Sequence, residues 1–378
     1  MSVKIRIATG VGENTCSSFI VSDFKPLKDF GVSPKEIDYL VRKSEADPKK
    51  NLFLINRLDQ LVYVILAKEN VNGNGLAEQV RRHGAAIAKQ VKDDSYSSMA
   101  LFDLTGAETL VMALAEGFAL GSYAFNKYKT DVKAESDIEL LVVSPQVSGC
   151  SIAALNNLVE AVFLARDLVN EPVGHLNAED LGEVAINLGK KLGFKTEVFN
   201  KKKIESLKMG GLLAVNKGSI DPPTFTVMEY KPEKALNEKP FVLVGKGVVF
   251  DTGGINLKTV PGSLDTMKCD MSGAASVIGA MSAIAANHLP LYVVGLIPAT
   301  DNRPGGNAIV PGDILKMHNG TTVEIINTDA EGRLILADAL SFSKHYNPEL
   351  VIDLATLTGN AVLAIGEHGM VGMGTADE

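Results

Sequence analysis

Short apolar runs alternate with helical patterns along the second half of the chain, and this alternation constrains the fold more than any other feature. A short apolar run between turn residues is typical of a buried strand, whereas a longer stretch with apolar residues every three or four positions is typical of a helix. The alternation predicts an α/β fold with a central mixed sheet flanked by helices. We predict strands at residues 195–199, 225–230, 241–244, 291–296 and 350–354, and helices at residues 273–287 and 334–345.

The first part of the chain shows a similar alternation. Helical patterns cover residues 75–91 and 107–127, and strand patterns cover residues 99–104 and 138–143. They predict a small N-terminal α/β domain, in which we recognise no group of catalytic residue types.

A long amphipathic helix is predicted to connect this domain to the next. Its apolar positions recur at helical spacing from Ile152 to Val169, and it ends at Glu171 because the residue before a proline avoids helical geometry. Asn177 and Asp180 have the spacing of an N-cap for a following helix. We therefore predict an N-terminal domain at residues 1–150, a connecting helix at 151–172 and a second domain at 173–378.

Two acids and an arginine occupy every second position in the middle of residues 327–334, which read Asn-Thr-Asp-Ala-Glu-Gly-Arg-Leu. In an extended segment, Asp329, Glu331 and Arg333 point to the same side. Two carboxylates held together repel each other unless a cation or a shared proton neutralises them. A divalent metal, with an anion held beside it by the arginine, accounts for the pattern. A salt-bridged turn at the start of a helix is the alternative.

Lysines and aspartates upstream also stand beside glycines after apolar runs. Lys246 lies in a Gly-Lys-Gly turn, Asp251 precedes two glycines, and Lys258 and Asp270 follow. Glycine lets a backbone approach a metal or substrate closely, and charged groups at the strand ends of an α/β protein gather in one crevice. The Gly-Lys-Gly turn could instead hold a phosphate, but the Walker spacing is absent.

In order, residue type and approximate spacing, these segments resemble the leucyl (cytosol) aminopeptidase family, the two-metal exopeptidases that remove N-terminal residues from peptides. The resemblance spans about residues 150–378. It implies a metal-dependent aminopeptidase that hydrolyses peptide substrates through a metal-activated water. The implied cofactors are two divalent ions, zinc or manganese, with magnesium or cobalt as further options.

The resemblance also implies a role for each of these residues. Asp251 and Glu331 would bridge the two metals. Lys246 and Asp270 would complete one site, and Asp329 the other. Lysine is an unusual ligand, because only the neutral amine has a free lone pair and the metal must displace its proton. Lys258 would stabilise the oxyanion, and Arg333 would hold a bicarbonate ion that carries a proton to the leaving amine.

Four further positions would bind substrate if the resemblance holds. Met267, Thr356 and Gly359 would line the pocket for the N-terminal side chain, and Leu357 would offer its backbone carbonyl. A pocket lined by methionine favours leucine or methionine. We expect broad specificity, because an apolar pocket discriminates by only ~1–3 kcal/mol per methylene.

The composition predicts a cytoplasmic enzyme. The formal net charge of −8 disfavours nucleic acid as a partner. The N-terminus has no signal-peptide core, and no apolar run approaches the ~18 residues needed to cross a membrane. Cys16, Cys150 and Cys269 are far apart and belong to no recognisable motif, which is typical of a reducing compartment.

In the family the catalytic domain continues beyond the position of Glu378, so we expect the chain to be truncated at its C-terminus. The resemblance implies a homo-hexamer for the full-length protein. Two other functions stay open. A two-metal phosphoesterase would need basic groups for the phosphate, and an architectural DNA-binding role, known in some relatives, is disfavoured by the acidic balance. An inactive scaffold is disfavoured because every expected metal and catalytic position is filled.

Overall fold

A computed structural model describes residues 3–10, 12, 15–68, 73–130 and 138–376. The chain divides into two compact units, Met1–Phe163 and Leu164–Glu378. Each unit contains a sheet flanked by helices, which confirms the predicted α/β class. The division into residues 1–150, 151–172 and 173–378 stays a prediction.

The described part of the first unit contains a six-stranded sheet. Its strands are β1 (Val3–Ile7), β2 (Cys16–Val21), β3 (Leu52–Asn56), β4 (Leu61–Leu66), β5 (Ser98–Asp103) and β6 (Ile138–Val143). Their spatial order is β1-β6-β5-β2-β4-β3. Neighbouring strands are parallel except at one edge, where β3 runs antiparallel to β4.

Both faces of this sheet bury apolar side chains. One core packs β1, β5 and β6 against helices, with Leu114 and Phe118 fully buried, and a separate core contains Leu27 and Leu40. Strands covered on both faces are buried along their whole length, and every residue of β2 and β4 is buried, including Ser17 and Ser18. The helices are α1 (Pro34–Ala46), α2 (Gly73–Asp93), α3 (Glu108–Gly121) and α4 (Gly149–Asn170), of which α4 continues into the second unit.

The second unit is built on a mixed sheet of order β14-β9-β11-β8-β7, with β10 paired to β11. β8 is antiparallel to β11 and β7, whereas β9, β10, β11 and β14 share one direction. The strands are β7 (Lys195–Phe199), β8 (Thr224–Tyr230), β9 (Phe241–Gly245), β10 (Gly247–Asp251), β11 (Val293–Asn302) and β14 (Leu350–Leu354), and a hairpin pairs β12 (Ile314–Lys316) with β13 (Thr322–Glu324).

Helices cover the two faces of this sheet. Val242 and Val244 of β9 face a core shared with α7 (Gly210–Asn216) and α9 (Glu331–Ser343), while Leu243 packs against the core of α5 (Ala178–Leu192) and α8 (Ser272–Ala286). This alternation follows the two-residue period of a strand. The remaining helices are α6 (Lys201–Ser206) and α10 (Asn360–Ile365), with 3-10 helices at Leu264–Cys269 and Lys344–Tyr346.

Most predicted elements of the second unit are present, with shifted ends. The strands predicted at residues 195–199 and 350–354 match β7 and β14, and Asn177 caps α5 as predicted. The strand predicted at residues 291–296 begins at Val293 and continues to Asn302. The last three residues of this extension, Thr300, Asp301 and Asn302, are polar yet buried, so hydrophobic patterning could not reveal where the strand ends.

One segment of the described chain, Leu264–Ala286, is helical, long and apolar enough to cross a membrane. Of its most apolar window, 61% is buried inside the protein. Val277, Ile278 and Met281 of α8 belong to the core against the sheet. The segment therefore has the burial of a core helix.

Candidate metal centre

The carboxyl ends of four parallel strands carry polar residues to one edge of the second sheet. Lys246 directly follows β9, Asp251 ends β10, Asn302 ends β11, and Thr356 lies two residues after β14. Parallel strands bring their carboxyl ends to the same edge, where α/β proteins bind ligands. Two further segments reach this edge: Asp270 lies just before α8, and Glu331 begins α9.

Lys246 is buried among oxygen atoms. Its Nζ lies 2.8 Å from Asp270 Oδ1, 2.8 Å from Glu331 Oε1 and 2.8 Å from the carbonyl oxygen of Thr356. The side chain is 2% exposed. Burial alone would lower the pKa of Lys246, but the charges of Glu331 and Asp270 raise it above its usual value. The protonated lysine therefore compensates both acids in the metal-free chain.

Lys258 makes a second bridge of the same kind. Its Nζ lies 2.9 Å from Asp251 Oδ2 and 2.5 Å from Asp329 Oδ1. Partial burial opposes the charged form, but hydrogen bonds to Asp329 and Asp251 raise the pKa of Lys258. Each lysine thus lies between two carboxylates, where a positive charge is needed.

Three acids lie close enough to share one cation. Asp251, Asp329 and Glu331 each place a carboxylate oxygen within 4.8 Å of the others. Burial is the main cause that raises the pKa of Asp270 to about 7, and burial also raises the pKa values of Asp329 and Glu331. Crowded, buried carboxylates with raised pKa values are stabilised by a bound cation, so this is a candidate functional site.

One buried oxygen supports the fit of a metal. Asp270 Oδ2 has no hydrogen-bond partner among the described residues, although Asp270 Oδ1 contacts both Lys246 and Thr356. An orphaned carboxylate oxygen in a buried site calls for a ligand. Carboxylate oxygens with one amine suit divalent manganese, zinc, magnesium or cobalt.

Two glycines leave the space that this centre needs. A Cβ atom on Gly332 would lie 2.6 Å from Cε and 2.7 Å from Nζ of Lys246. Gly253 adopts φ +87°, and a Cβ there would lie 3.0 Å from Asp329 Oδ1. A side chain at Gly332 would displace the lysine, and one at Gly253 would also strain the backbone.

A polar network missed by sequence reasoning joins the two loops that carry the site. The side-chain oxygen of Asn256, Oδ1, accepts a hydrogen bond from the backbone amide of Thr328 at 2.8 Å. In return, the backbone amide of Asn256 donates to the Thr328 hydroxyl at 2.9 Å. The same hydroxyl lies 2.6 Å from the carbonyl oxygen of Gly253. Thr328 belongs to the octapeptide, but its partners lie more than 70 positions away and no local pattern indicates them.

The predicted substrate residues lie on segments next to the ligand candidates. Thr356 contacts two of them, since its carbonyl oxygen accepts from Lys246 and its hydroxyl donates to Asp270 Oδ1 at 2.7 Å. Met267 is half-buried in the 3-10 helix, and Leu357 and Gly359 are exposed. Contact of these residues with substrate stays a prediction. Arg333 is exposed on the first turn of α9, and its bicarbonate stays a prediction as well.

The fold and this cluster define a class of α/β proteins with an acidic, lysine-containing candidate metal centre at a sheet edge. The chain belongs to the cytosol aminopeptidase family. The family model of the catalytic domain matches residues 163–378, and that of the N-terminal domain matches residues 72–132. The sequence-based recognition of the family is therefore confirmed.

Three known proteins illustrate the similarity. A probable cytosol aminopeptidase of Chlorobium limicola is 46% identical over 331 residues, which cover 80% of this chain but only 65% of that protein. The bottromycin maturation enzyme BotP, solved in complex with Mn, aligns with a TM-score of 0.78 and 32% identity over 93% of this chain and 74% of BotP. A variant of tomato leucine aminopeptidase aligns with a TM-score of 0.80 and 26% identity over 97% of this chain and 75% of that protein.

Proposed function

We propose that this chain removes the N-terminal residue from peptides by metal-dependent hydrolysis. The observation that carries the proposal is the placement of Lys246 between Asp270 and Glu331, beside the Asp251, Asp329 and Glu331 cluster. Membership of the cytosol aminopeptidase family and the likeness to a tomato leucine aminopeptidase support it.

The residues that would hold two metals are Lys246, Asp251, Asp270, Asp329 and Glu331. Asp251 and Glu331 would be shared between the ions. When bound, such a pair lowers the pKa of a water molecule and polarises the scissile carbonyl. Lys246 would give up its proton on binding, as metal ligands must. The manganese complex of BotP supports manganese, and zinc, magnesium or cobalt would suit the same donors.

Lys258 is better suited to stabilise negative charge on the substrate than to abstract a proton. Its raised pKa keeps the ammonium group charged at neutral pH. A fixed positive charge beside Asp251 and Asp329 would stabilise negative charge that develops on the carbonyl oxygen of the substrate. Arg333 would bind a bicarbonate ion and thereby hold a proton carrier next to the leaving amine.

The substrate would be a peptide with a free N-terminus and an apolar first residue. Met267, Thr356 and Gly359 would line the pocket for a leucine- or methionine-like side chain, and the carbonyl of Leu357 would accept a hydrogen bond from the substrate. Broad specificity is expected of such a pocket. We further propose that the protein acts in the cytosol and assembles as a homo-hexamer.

Hydrolysis of leucine p-nitroanilide tests the activity. The purified chain, treated with EDTA and reloaded with Mn²⁺ or Zn²⁺, is compared with Glu331→Ala and with Glu349→Ala, an exposed acid outside the cluster. We expect hydrolysis of the free-amine substrate alone, lost in Glu331→Ala and kept in Glu349→Ala. Equal cleavage of the N-acetylated substrate, or activity that survives EDTA and Glu331→Ala, would refute the proposal.

A further inference from the structure

Asn302 contacts the candidate centre from the end of a central strand. It is the last residue of β11, lies opposite Asp251 in the register of β10 and β11, and is 2% exposed. Its Nδ2 lies 2.8 Å from Asp251 Oδ1 and 3.1 Å from the carbonyl oxygen of Thr328. Both neighbours are acceptors, so the amide nitrogen must face them and donate to both.

The two oxygens of Asp251 therefore differ. Oδ1 accepts one hydrogen bond from Asn302 and another from the backbone amide of Gly253, each at 2.8 Å. Oδ2 is left for the positive charge of Lys258, at 2.9 Å. Neutral donors thus occupy one oxygen and leave the other for a cation.

Asn302 also joins the two segments that supply acids. Asp251 ends β10, while Thr328 directly precedes Asp329 and lies three residues before Glu331. One amide group that donates to both segments sets the distance between their carboxylates. The backbone carbonyl of Asn302 also contacts the segment that follows β10, because it accepts hydrogen bonds from the backbone amide and the hydroxyl of Thr252 at 2.9 and 2.8 Å.

We propose that Asn302 is a positioning residue for the metal centre, which orients Asp251 so that Oδ2 faces the cation. The inference rests on the proposed function. Removal of a residue that orients a metal ligand commonly lowers metal affinity by about 10–100-fold. Asn302 would reach the metals only through Asp251 and the Thr328 segment, so its removal should weaken binding without removing a ligand.

Titration calorimetry of the EDTA-treated full chain with MnCl₂ tests the role. Wild type is compared with Asn302→Ala and with Asn216→Ala. Asn216 is a matched control, because it is 1% exposed and donates to the carbonyl oxygen of Asp221 and the hydroxyl of Thr300, not to a carboxylate. We expect the Kd for Mn²⁺ to rise about 10–100-fold in Asn302→Ala, and to stay unchanged in Asn216→Ala, at a similar loss of thermal stability.

Wild-type affinity in Asn302→Ala, or an equal loss of affinity in both variants, would overturn the inference and leave the proposed function intact. If Asn302→Ala does not fold by circular dichroism, Asn302→Ser keeps a small polar group that is too short to reach Asp251 and is expected to show the same loss. A wild-type chain that neither binds Mn²⁺ nor hydrolyses leucine p-nitroanilide would overturn the proposed function and this inference together.

Discussion

Nζ of Lys246 lies 2.8 Å from Oε1 of Glu331, and both side chains are only 2% exposed. The same ammonium group contacts Asp270, so one buried cation faces two buried acids. Such a group is costly to bury unless its charge is compensated. A substitution at Lys246 is therefore expected to change both the stability of the chain and its metal binding.

Lys246→Met is expected to destabilise the metal-free chain. The substitution keeps the length of the side chain but leaves Asp270 and Glu331 without their cation. Breaking a buried ion pair in this way costs about 3–5 kcal/mol. Urea unfolding in EDTA at neutral pH measures the loss, with Lys234→Met at an exposed position as the control. An unchanged urea midpoint would show that the two acids do not depend on this lysine.

Gly332→Ala should weaken Mn²⁺ binding with little loss of stability. The added Cβ would lie 2.6 Å from Cε of Lys246, whose flexible end can move away. Alanine is favoured over glycine inside a helix by about 1 kcal/mol, which offsets part of the strain in α9. Mn²⁺ titration and thermal unfolding are compared with Gly149→Ala, where no atom lies within 4 Å of the new Cβ. Undiminished Mn²⁺ affinity would contradict the prediction.

Asp338→Ala is expected to unfold the second unit more easily while leaving the number of bound metals unchanged. Asp338 is fully buried, and its oxygens accept hydrogen bonds from the backbone amides of Leu212 at 3.0 Å and His318 at 2.9 Å. Two backbone donors left without partners cost about 2–6 kcal/mol in total. The control is Asp313→Ala, since Asp313 accepts a backbone hydrogen bond at an exposed site. A stability loss no larger than that of the control would show that the two amides find other partners.

Glu36→Gln should remove an acid-sensitive part of the stability of the first unit. Hydrogen bonds from Arg57 are the main cause that lowers the pKa of Glu36 to about 2 from an ordinary value of 4.5. A lowered carboxyl pKa stabilises the fold above the ordinary value, and this contribution disappears as the pH falls towards 2. We expect the variant to be less stable by about 1 kcal/mol at pH 7, because the pair is partly exposed.

Urea unfolding followed by circular dichroism checks this pH dependence. The difference between wild type and Glu36→Gln should shrink as the pH falls from 5 towards 2. A constant difference across that range would show that the charge of Glu36 is not its source.

The sequence revealed those parts of the fold that have a local pattern. β7, β14 and the cap of α5 at Asn177 were predictable because strand and cap signals lie within a few residues of each other. β2 and β4 were not predicted, since both are buried along their whole length and show no alternation of apolar and polar residues. The helix predicted at residues 107–127 ends at Gly121. α1 was missed although Ser33, Pro34 and Glu36 form a capping box with proline at the first turn.

The residues of the candidate site likewise fall into those with a local sequence pattern and those without one. Lys246, Asp251, Asp270, Asp329 and Glu331 stand in segments with a recognisable order of residue types, and the structure brings them together. Asn256 and Asn302 had no such signal, because each acts on a segment far away in sequence. Thr356 was predicted to line a pocket, but its hydrogen bonds to Lys246 and Asp270 depend on the pairing of β14 with β9.

Anomalous diffraction from crystals soaked in Mn²⁺ shows whether the sheet edge binds two metal ions. We expect two manganese peaks there, both in contact with Asp251 and Glu331. One ion should also be bound by Lys246 and Asp270, and the other by Asp329. We also expect these peaks to be lost in crystals of Glu331→Ala. Manganese found only elsewhere on the protein, or Lys246 still hydrogen-bonded to both acids with no metal bound at saturating Mn²⁺, would contradict this expectation.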